Sequence, residues 1–320
     1  MSSRSTIVAQ LLLTLAMVAF ILVNPMILPT IEAFSMDAPS TSKNTKIRAI
    51  SFDVTGTLVA TREPVIQSYY DAMIWSKLPN PPTQNEMKQA FKTAYKERCI
   101  ESPCFGGVDN ISGRDWWKAT VQRVLEHSGR TLHQDFTQEE FDRYFRRVYQ
   151  HFGSPNGYMV LDDAQQLLDV LSQQQERNDN EDGQQQLLLG ITSNTPTRHM
   201  ESVLPMLNIH DKFQWFTCSQ DVKYEKPSYE IFHHAYEQAK FWIPTIQPNE
   251  ILHIGDSFEC DYCGAKAYGF QALLLDRSNN PNVTSYQDWI DAPTYPGKDT
   301  DDIPSNTITN LMDVATRLAL

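Results

Sequence analysis

The sequence predicts an α/β fold, a parallel doubly wound sheet with an all-helical block inserted after its first strand. Three observations carry this. Short apolar runs alternate with stretches of helical period along most of the chain. Carboxylates or small polar residues stand at the C-terminal ends of those runs, the edge where open α/β sheets place their sites. Between about 65 and 157 the alternation stops and only helical spacing is found, so this block would lie over the site as a lid.

Taken in order, the N-terminal part comes first. Residues 1–36 carry two charges, Arg4 and Glu32, and Ile7 to Val23 is apolar apart from Gln10 and Thr14. A basic start, an apolar run and a break at Asn24-Pro25 describe a secretory signal peptide, and the run is also long enough for a signal anchor. Phe34, followed by the Ser/Thr/Lys-rich stretch Ser40–Lys46, resembles the junction of a bipartite plastid presequence. Residues 1–45 are therefore expected to be a targeting segment directing the chain to a plastid, with secretion or an endomembrane destination as the alternative. Contact with a membrane is expected only through this segment, if it stays uncleaved.

The ordered chain is expected to begin at Lys46. Ile47–Phe52 is an apolar run closed by Asp53 and Gly56, which predicts a buried strand ending in a tight loop. From Val65 to Gln150 the spacing is helical. Met87, Ala90, Phe91, Ala94 and Tyr95 share one face, Trp116, Trp117, Thr120, Val121 and Val124 another, and Phe141, Tyr144, Phe145 and Val148 a third. All three sets read as the interior of the helical block. Gly106-Gly107 reads as a helix–helix turn, or as a loop reaching toward the site.

Asp162–Leu171 is again helical, and the polar Gln173–Gln186 reads as a surface loop. Strands follow at Leu187–Thr192, Phe213–Thr217, Ile251–Ile254 and Ala272–Leu275. Helices are expected at Arg198–Leu207, with a proline inside, at Ser228–Lys240 and closing at Ala265–Gly269. The predicted organisation is thus a targeting segment at 1–45, an α/β core at 46–64 and 158–320, and a helical cap at 65–157.

Composition narrows the function. A formal net charge of -12 speaks against a nucleic-acid partner, whose phosphates need clustered Lys and Arg, but it leaves phosphate chemistry open because a divalent cation reverses the field locally. The five cysteines are too few and odd in number for a disulfide scaffold, and Cys260-x-x-Cys263 lacks a second pair at zinc spacing. N-x-S/T triplets at Asn110 and Asn282 are frequent enough by chance to decide little.

Four pieces carry chemistry: Asp53-Val54-Thr55-Gly56-Thr57, Ser193-Asn194 after a buried strand, Lys226-Pro227 before a helix, and Gly255-Asp256-Ser257 with Asp261 behind it. A carboxylate such as Asp53 can attack an electrophile and form a covalent intermediate. Gly56 lets backbone amides turn toward a bound group. Ser193 can donate to a phosphoryl or carboxylate oxygen, and Lys226 can keep Asp53 ionised and offset charge in the transition state. Asp256 beside Asp53 makes a hard oxygen site of the kind Mg²⁺ accepts.

These four pieces, in this order, resemble the haloacid dehalogenase-like hydrolases. The resemblance extends through Trp116-Trp117, Ile231-Phe232 and His253-Ile254 with Cys260-Asp261-Tyr262, over about residues 46–277. It implies a Rossmann-like core, a helical cap inserted after the first strand, a small-molecule substrate and Mg²⁺ held by Asp53, the Thr55 carbonyl and Asp256. It also implies substrate contacts from Gly56 and Asn194, and a supporting role for Asp261.

One position departs from that pattern. Phosphatases of the family carry a second Asp two residues after the nucleophile, to protonate the leaving group and then activate water; here that position is Thr55, whose hydroxyl cannot do so near neutral pH. Three functions are compatible with this: a slow phosphatase acting on a phosphate ester, a catalytically weak binding or regulatory protein, and a 2-haloacid dehalogenase-like hydrolase.

Overall fold

The structure is a computed structural model and describes residues 46–179, 187–277 and 306–319. The chain runs β1 (Ala49–Phe52), β2 (Val59–Thr61), α1 (Val65–Ser76), α2 (Gln84–Glu101), α3 (Gly113–His127), α4 (Gln138–His151), β3 (Tyr158–Val160) and α5 (Asp162–Asp179). It continues through β4 (Leu188–Ser193), α6 (Leu204–Met206), β5 (Trp215–Cys218), α7 (Ser219–Val222), α8 (Tyr229–Trp242) and β6 (Ile251–Gly255). It closes with α9 (Gly264–Tyr268), β7 (Gln271–Leu275), β8 (Thr307–Ile308) and α10 (Met312–Leu318).

Six strands form one parallel sheet in the order β5-β4-β1-β6-β7-β8, a Rossmann-like α/β arrangement. The apolar runs are strands because both their faces are covered. Ile50, Phe52, Leu189, Ile191, Leu252 and Ile254 point to one side, where α5, α6 and α10 pack. Ala49, Leu188, Ile251, Ala272 and Leu274 point to the other, against Ile231, Phe232 and Ala239 of α8 and Ala265 of α9. That period of two under helices on both faces is the pattern of a buried parallel sheet.

Register explains why distant residues meet. Phe52 pairs with Ile191 on one side and Ile254 on the other. The residues just past these partners, Asp53, Ser193 and Asp256, therefore leave the sheet at the same edge. The ladder continues one step into the loop, where Asp53 N–H donates to the Ile254 carbonyl at 2.9 Å.

Helices α1–α4 form a block with its own core, including Tyr69, Met73, Met87, Phe91, Trp116 and Phe141. Its sequence sets its ends: Thr83 with Glu86 and Thr137 with Glu140 make reciprocal capping boxes, and Ser112 caps α3. The block and the sheet belong to one contact unit, Thr45–Leu320.

Several details differ from the sequence reading. Entry to and exit from the helical block run through a two-stranded antiparallel ribbon, β2 with β3, Val59 opposite Val160 and Thr61 opposite Tyr158. Three-residue strands are too short for any periodicity to declare. Gln173–Asp179 is not loop but the second half of α5. Gln, Glu and Arg are good helix formers, and extending a helix already nucleated by Ala164, Leu167 and Leu168 costs little. Residues 180–186, the rest of that stretch, lie outside the described residues. The Arg198–Leu207 segment is a π-helical turn, His199–Val203, running into α6 with Pro205 in its first turn. The last strand, β8, follows Leu275 and was not foreseen. The targeting segment 1–45 and the Asn282 triplet lie outside the described residues; among the described residues no helix is long and apolar enough to cross a membrane.

Candidate active site

Asp53 leaves β1 into a loop held from behind. Arg277 donates to the Gly56 and Thr57 carbonyls at 2.9 Å each and to Asp163 at 2.9 Å. Gly56 has φ +87, and any β-carbon there would collide with the Asp256 carboxylate, so the turn that follows Asp53 is possible only without a side chain. The structure thus places Gly56 directly under Asp256.

Lys226, buried before α8, is the hub. Its Nζ donates to Asp53 Oδ1 at 2.7 Å, to Asp261 Oδ1 at 2.5 Å and to the Thr192 carbonyl at 2.9 Å. Ser193 Oγ donates to the same Asp53 oxygen at 2.8 Å, and no donor among the described residues engages Asp53 Oδ2. Asn194 holds the lysine's main chain from both sides: its Nδ2 donates to the Lys226 carbonyl at 3.0 Å and its Oδ1 accepts the Lys226 N–H at 2.7 Å. Asn194 still lines the cavity, as do Thr55, Asp53, Ser193, Lys226 and Asp256, so every sequence-derived side chain except the glycine reaches one space. Asp261 is 1% exposed and also takes the Ser257 N–H at 2.9 Å.

A polar thread on one sheet face, which sequence reading missed, ends at Asp261. Thr192 Oγ1 and Ser51 Oγ lie 2.7 Å apart, Ser51 Oγ is 3.0 Å from His253 Nδ1, and His253 Nε2 is 3.0 Å from Asp261 Oδ1. Burial pushes the His253 pKa down, so the ring is neutral. With Asp261 ionised, Nε2 must carry the proton and Nδ1 accepts from Ser51. A serine and a histidine inside otherwise apolar strand runs are the signal that was available.

The electrostatics are dense. Burial works to lower the Lys226 pKa, but Asp261 and Asp53 outweigh it and hold the ammonium. Burial likewise works to raise Asp261, but Lys226 and His253 bring it well below the usual carboxylate range. Asp53 stays above its ordinary value because burial, with the Asp261 charge, outweighs Lys226. Asp256 is pushed well up by burial and by its two acidic neighbours. Three carboxylates thus face one ammonium. Asp53, Asp256 and Asp261 offer oxygens within 4.8 Å of one another, an all-oxygen set whose excess charge of minus two suits a divalent cation. Cys260 and Cys263, free thiols on the π-helical turn Phe258–Cys263, belong to no such cluster among the described residues.

Above this floor the cavity, about 490 Å³, is walled by the helical block: Tyr69, Phe91, Tyr95, Phe105, Trp117 and Phe145 among others. Trp116 is wholly buried core whereas Trp117 faces the cavity, so the Trp pair divides between interior and wall. Phe105 also lines it from the loop containing Gly106-Gly107, which docks on the core through Gln220 Nε2 donating to the Phe105 carbonyl at 3.2 Å and Cys104 N–H to Glu225 at 3.2 Å. That loop therefore reaches the site. Asn110 on it is exposed and accepts from Lys223 at 2.8 Å.

Comparison with known proteins agrees with the motif resemblance. A family model described as haloacid dehalogenase-like hydrolase matches residues 47–269. Over 238 residues the chain is 26% identical to haloacid dehalogenase-like hydrolase domain-containing protein 3 of Xenopus laevis, covering 74% of this chain and 87% of the relative. It is 25% identical over 251 residues to the rhythmically expressed gene 2 protein of Drosophila melanogaster, covering 77% and 90%. Among solved structures it is similar to a 2-haloacid dehalogenase from Pseudomonas syringae, with TM-score 0.54, 19% identity and coverage of 85% and 98%. It is also similar to the putative HAD-hydrolase YfnB of Bacillus subtilis, a structure bound to magnesium, with TM-score 0.55, 18% identity and coverage of 86% and 100%. At these identities the solved structures speak for the fold.

Proposed function

This chain belongs to the haloacid dehalogenase-like hydrolase family, and we propose that it is a Mg²⁺-dependent phosphatase that acts on a small phosphorylated metabolite through an aspartyl-phosphate at Asp53 and turns over slowly. The observation that carries this is the state of the Asp53 carboxylate. Lys226 and Ser193 both bind Oδ1, which fixes the carboxylate plane and leaves Oδ2 open at the cavity floor beside Asp256.

In this reading Asp53 Oδ2 attacks phosphorus as the bond to the leaving oxygen breaks, and the phosphoryl group passes to the carboxylate. Lys226 and Ser193 are placed to follow the charge as it moves onto phosphoryl oxygens. Asp53, Asp256 and the Thr55 carbonyl would hold Mg²⁺, which when bound neutralises phosphoryl charge. The leaving oxygen takes its proton from water, because Thr55 has none to give at neutral pH, and hydrolysis of the aspartyl-phosphate proceeds without a protein base. Both steps lose the ~10²–10⁴-fold that a positioned acid–base group supplies.

The test is purified protein with Mg²⁺ and 4-nitrophenyl phosphate, followed by acid quench and mass analysis. Slow release and a phosphoryl adduct on Asp53, both absent in Asp53→Asn, are expected. Hydrolysis that survives Asp53→Asn refutes the reading; no hydrolysis and no adduct would leave a binding protein on this fold. We also propose that residues 1–45 target the protein to a plastid, which a fluorescent fusion of residues 1–46 tests.

A further inference from the structure

Arg198 sits five residues beyond Ser193 on the turn that leads into α6, and it lines the same cavity. Its surroundings are built for it. The guanidinium carbon lies over the Tyr149 ring, 3.6 Å from its centroid, near the C-terminal end of α4. Gly153 also lies against it, where any β-carbon would collide with the guanidinium. Tyr149 and Gly153 thus form a slot in the helical block that receives a side chain from the sheet.

What the slot lacks is an anion. Among the described residues no carboxylate stands within 4.0 Å of Arg198, and no acceptor among them engages its N–H groups. The adjacent His199 cannot compensate: its pKa is pushed down to about 4 by burial and by Arg198, and its Nδ1 has no partner among the described residues. A half-buried guanidinium inside an apolar cavity is costly unless a ligand completes it, and its planar fork fits a carboxylate in two parallel hydrogen bonds.

The cavity around it is far larger than a phosphoryl group and lies within the usual range for sites that bury a whole organic ligand. Its walls offer Tyr95, Phe105 and Trp117, with Val121 and Val148 beside them, and most of the surface they present to the cavity is apolar, which suits an aryl group better than a polyol. Phe105 is held there deliberately: its backbone is left-handed, φ 53, a conformation bulky residues rarely adopt. Gln220 pins it, donating from Nε2 to the Phe105 carbonyl while its Oε1 accepts the Thr197 N–H at 2.9 Å. One side chain therefore fixes both the aromatic wall and the turn that carries Arg198.

We propose that the substrate is an aromatic phosphate monoester that also carries a carboxylate, with the phosphate at Asp53, the ring against Phe105 and Trp117, and the carboxylate on Arg198. This rests on the phosphatase reading for its phosphate end only.

The experiment measures binding, by tryptophan fluorescence and calorimetry, to the whole protein with Mg²⁺. The probes are non-cleavable ω-[4-(phosphonomethyl)phenyl]alkanoic acids with one to three methylenes between the ring and the free carboxylate, their alkyl counterparts without the carboxylate, a polyol phosphonate, and the ω-phenylalkanoic acids without phosphonate. The best carboxylated probe should bind at least ~10-fold tighter than its alkyl counterpart, as expected for a bidentate charge-assisted pair. Arg198→Met should erase that gap, and Arg198→Lys should restore only part of it. Thermal melts check that both variants fold. A gap that is absent, or that survives in Arg198→Met, overturns the Arg198 assignment. A polyol phosphonate that binds as tightly as the aryl probes overturns the aromatic class. If the ω-phenylalkanoic acids bind through Arg198 and the phosphonate adds nothing, the phosphatase reading falls while the aromatic carboxylate site stands.

Discussion

The cavity's floor comes from residues at the ends of β1, β4 and β6 and the start of α8, while its walls come from side chains spread over α1–α4 and the loop between α2 and α3. On the floor almost every polar atom is committed: Lys226 has three acceptors, Asp261 three donors and Asn194 two bonds to one backbone. On the walls contact is mostly by aromatic and aliphatic surface, and Arg198 adds a positive charge to it. A floor built this way is preorganised, and removing one partner of a buried hydrogen-bonded pair leaves the other unsatisfied. A wall built this way fixes shape and apolarity, and can be altered residue by residue. The difference separates reaction type from substrate choice, and five substitutions break or sharpen it.

The largest expected effect is a gain. Thr55→Asp supplies the absent acid–base group on an otherwise complete floor, and turnover of an aryl phosphate with Mg²⁺ should rise by about 10²–10⁴-fold. An unchanged steady-state rate would mean that the absent acid–base group is not what limits turnover on this floor. Lys226→Met should act nearly as strongly in the other direction. It leaves Asp53 and Asp261 buried without their shared cation, a loss of about 3–5 kcal/mol by precedent for broken buried pairs, read as a melting temperature lower by roughly 10 °C.

The floor was legible in the sequence and the walls were not, for a physical reason. Asp53, Ser193, Lys226 and Asp256 each follow or precede an apolar run, so strand register alone brings three of them to one edge. Wall residues obey the same helical period as core residues, because a helix that lines a cavity still packs its other faces. Phe91 and Tyr95 served both purposes, being nearly fully buried in the block's core and also lining the cavity. The ribbon β2–β3, the second half of α5 and Arg277's hold on the Asp53 loop depend on pairings that no local pattern announces. Arg198 was passed over because one arginine on a helical stretch looks like any solvated charge; only the Tyr149 face and the gap at Gly153 distinguish it.

The adjacent tryptophans test that ambiguity within a single turn of α3. Trp116 is fully buried and donates from Nε1 to the Ser102 carbonyl at 2.8 Å, so Trp116→Ala should cost about 3–5 kcal/mol of stability. Trp117→Ala should cost much less stability but weaken aryl-ligand binding by about 10-fold, since it removes cavity wall rather than core. Equal losses of stability would show that the wall is structural after all, and would blur the distinction between the two regions.

Asp256→Asn is the smallest and the most diagnostic, because its sign differs with and without metal. Burial and the nearby Asp53 and Asp261 charges raise the Asp256 pKa in the folded protein. A carboxyl whose folded pKa lies above its unfolded value, about 3.9, binds its proton more tightly when folded. Its contribution is complete below that unfolded value and is lost as pH rises toward the folded one. Near neutral pH, then, Asp256 costs the metal-free fold stability, and Asn in its place relieves that cost. Without metal, Asp256→Asn should match the wild type near pH 4 and melt higher at pH 7, by on the order of 3 °C for each ~1 kcal/mol relieved. Mg²⁺ should reverse the order at pH 7, raising the melting temperature of the wild type and not of the variant, because a ligand stabilises only the state that binds it. A metal-free variant that melts lower than the wild type at both pH values would mean that Asp256 is held by favourable contacts rather than by the demand for a cation.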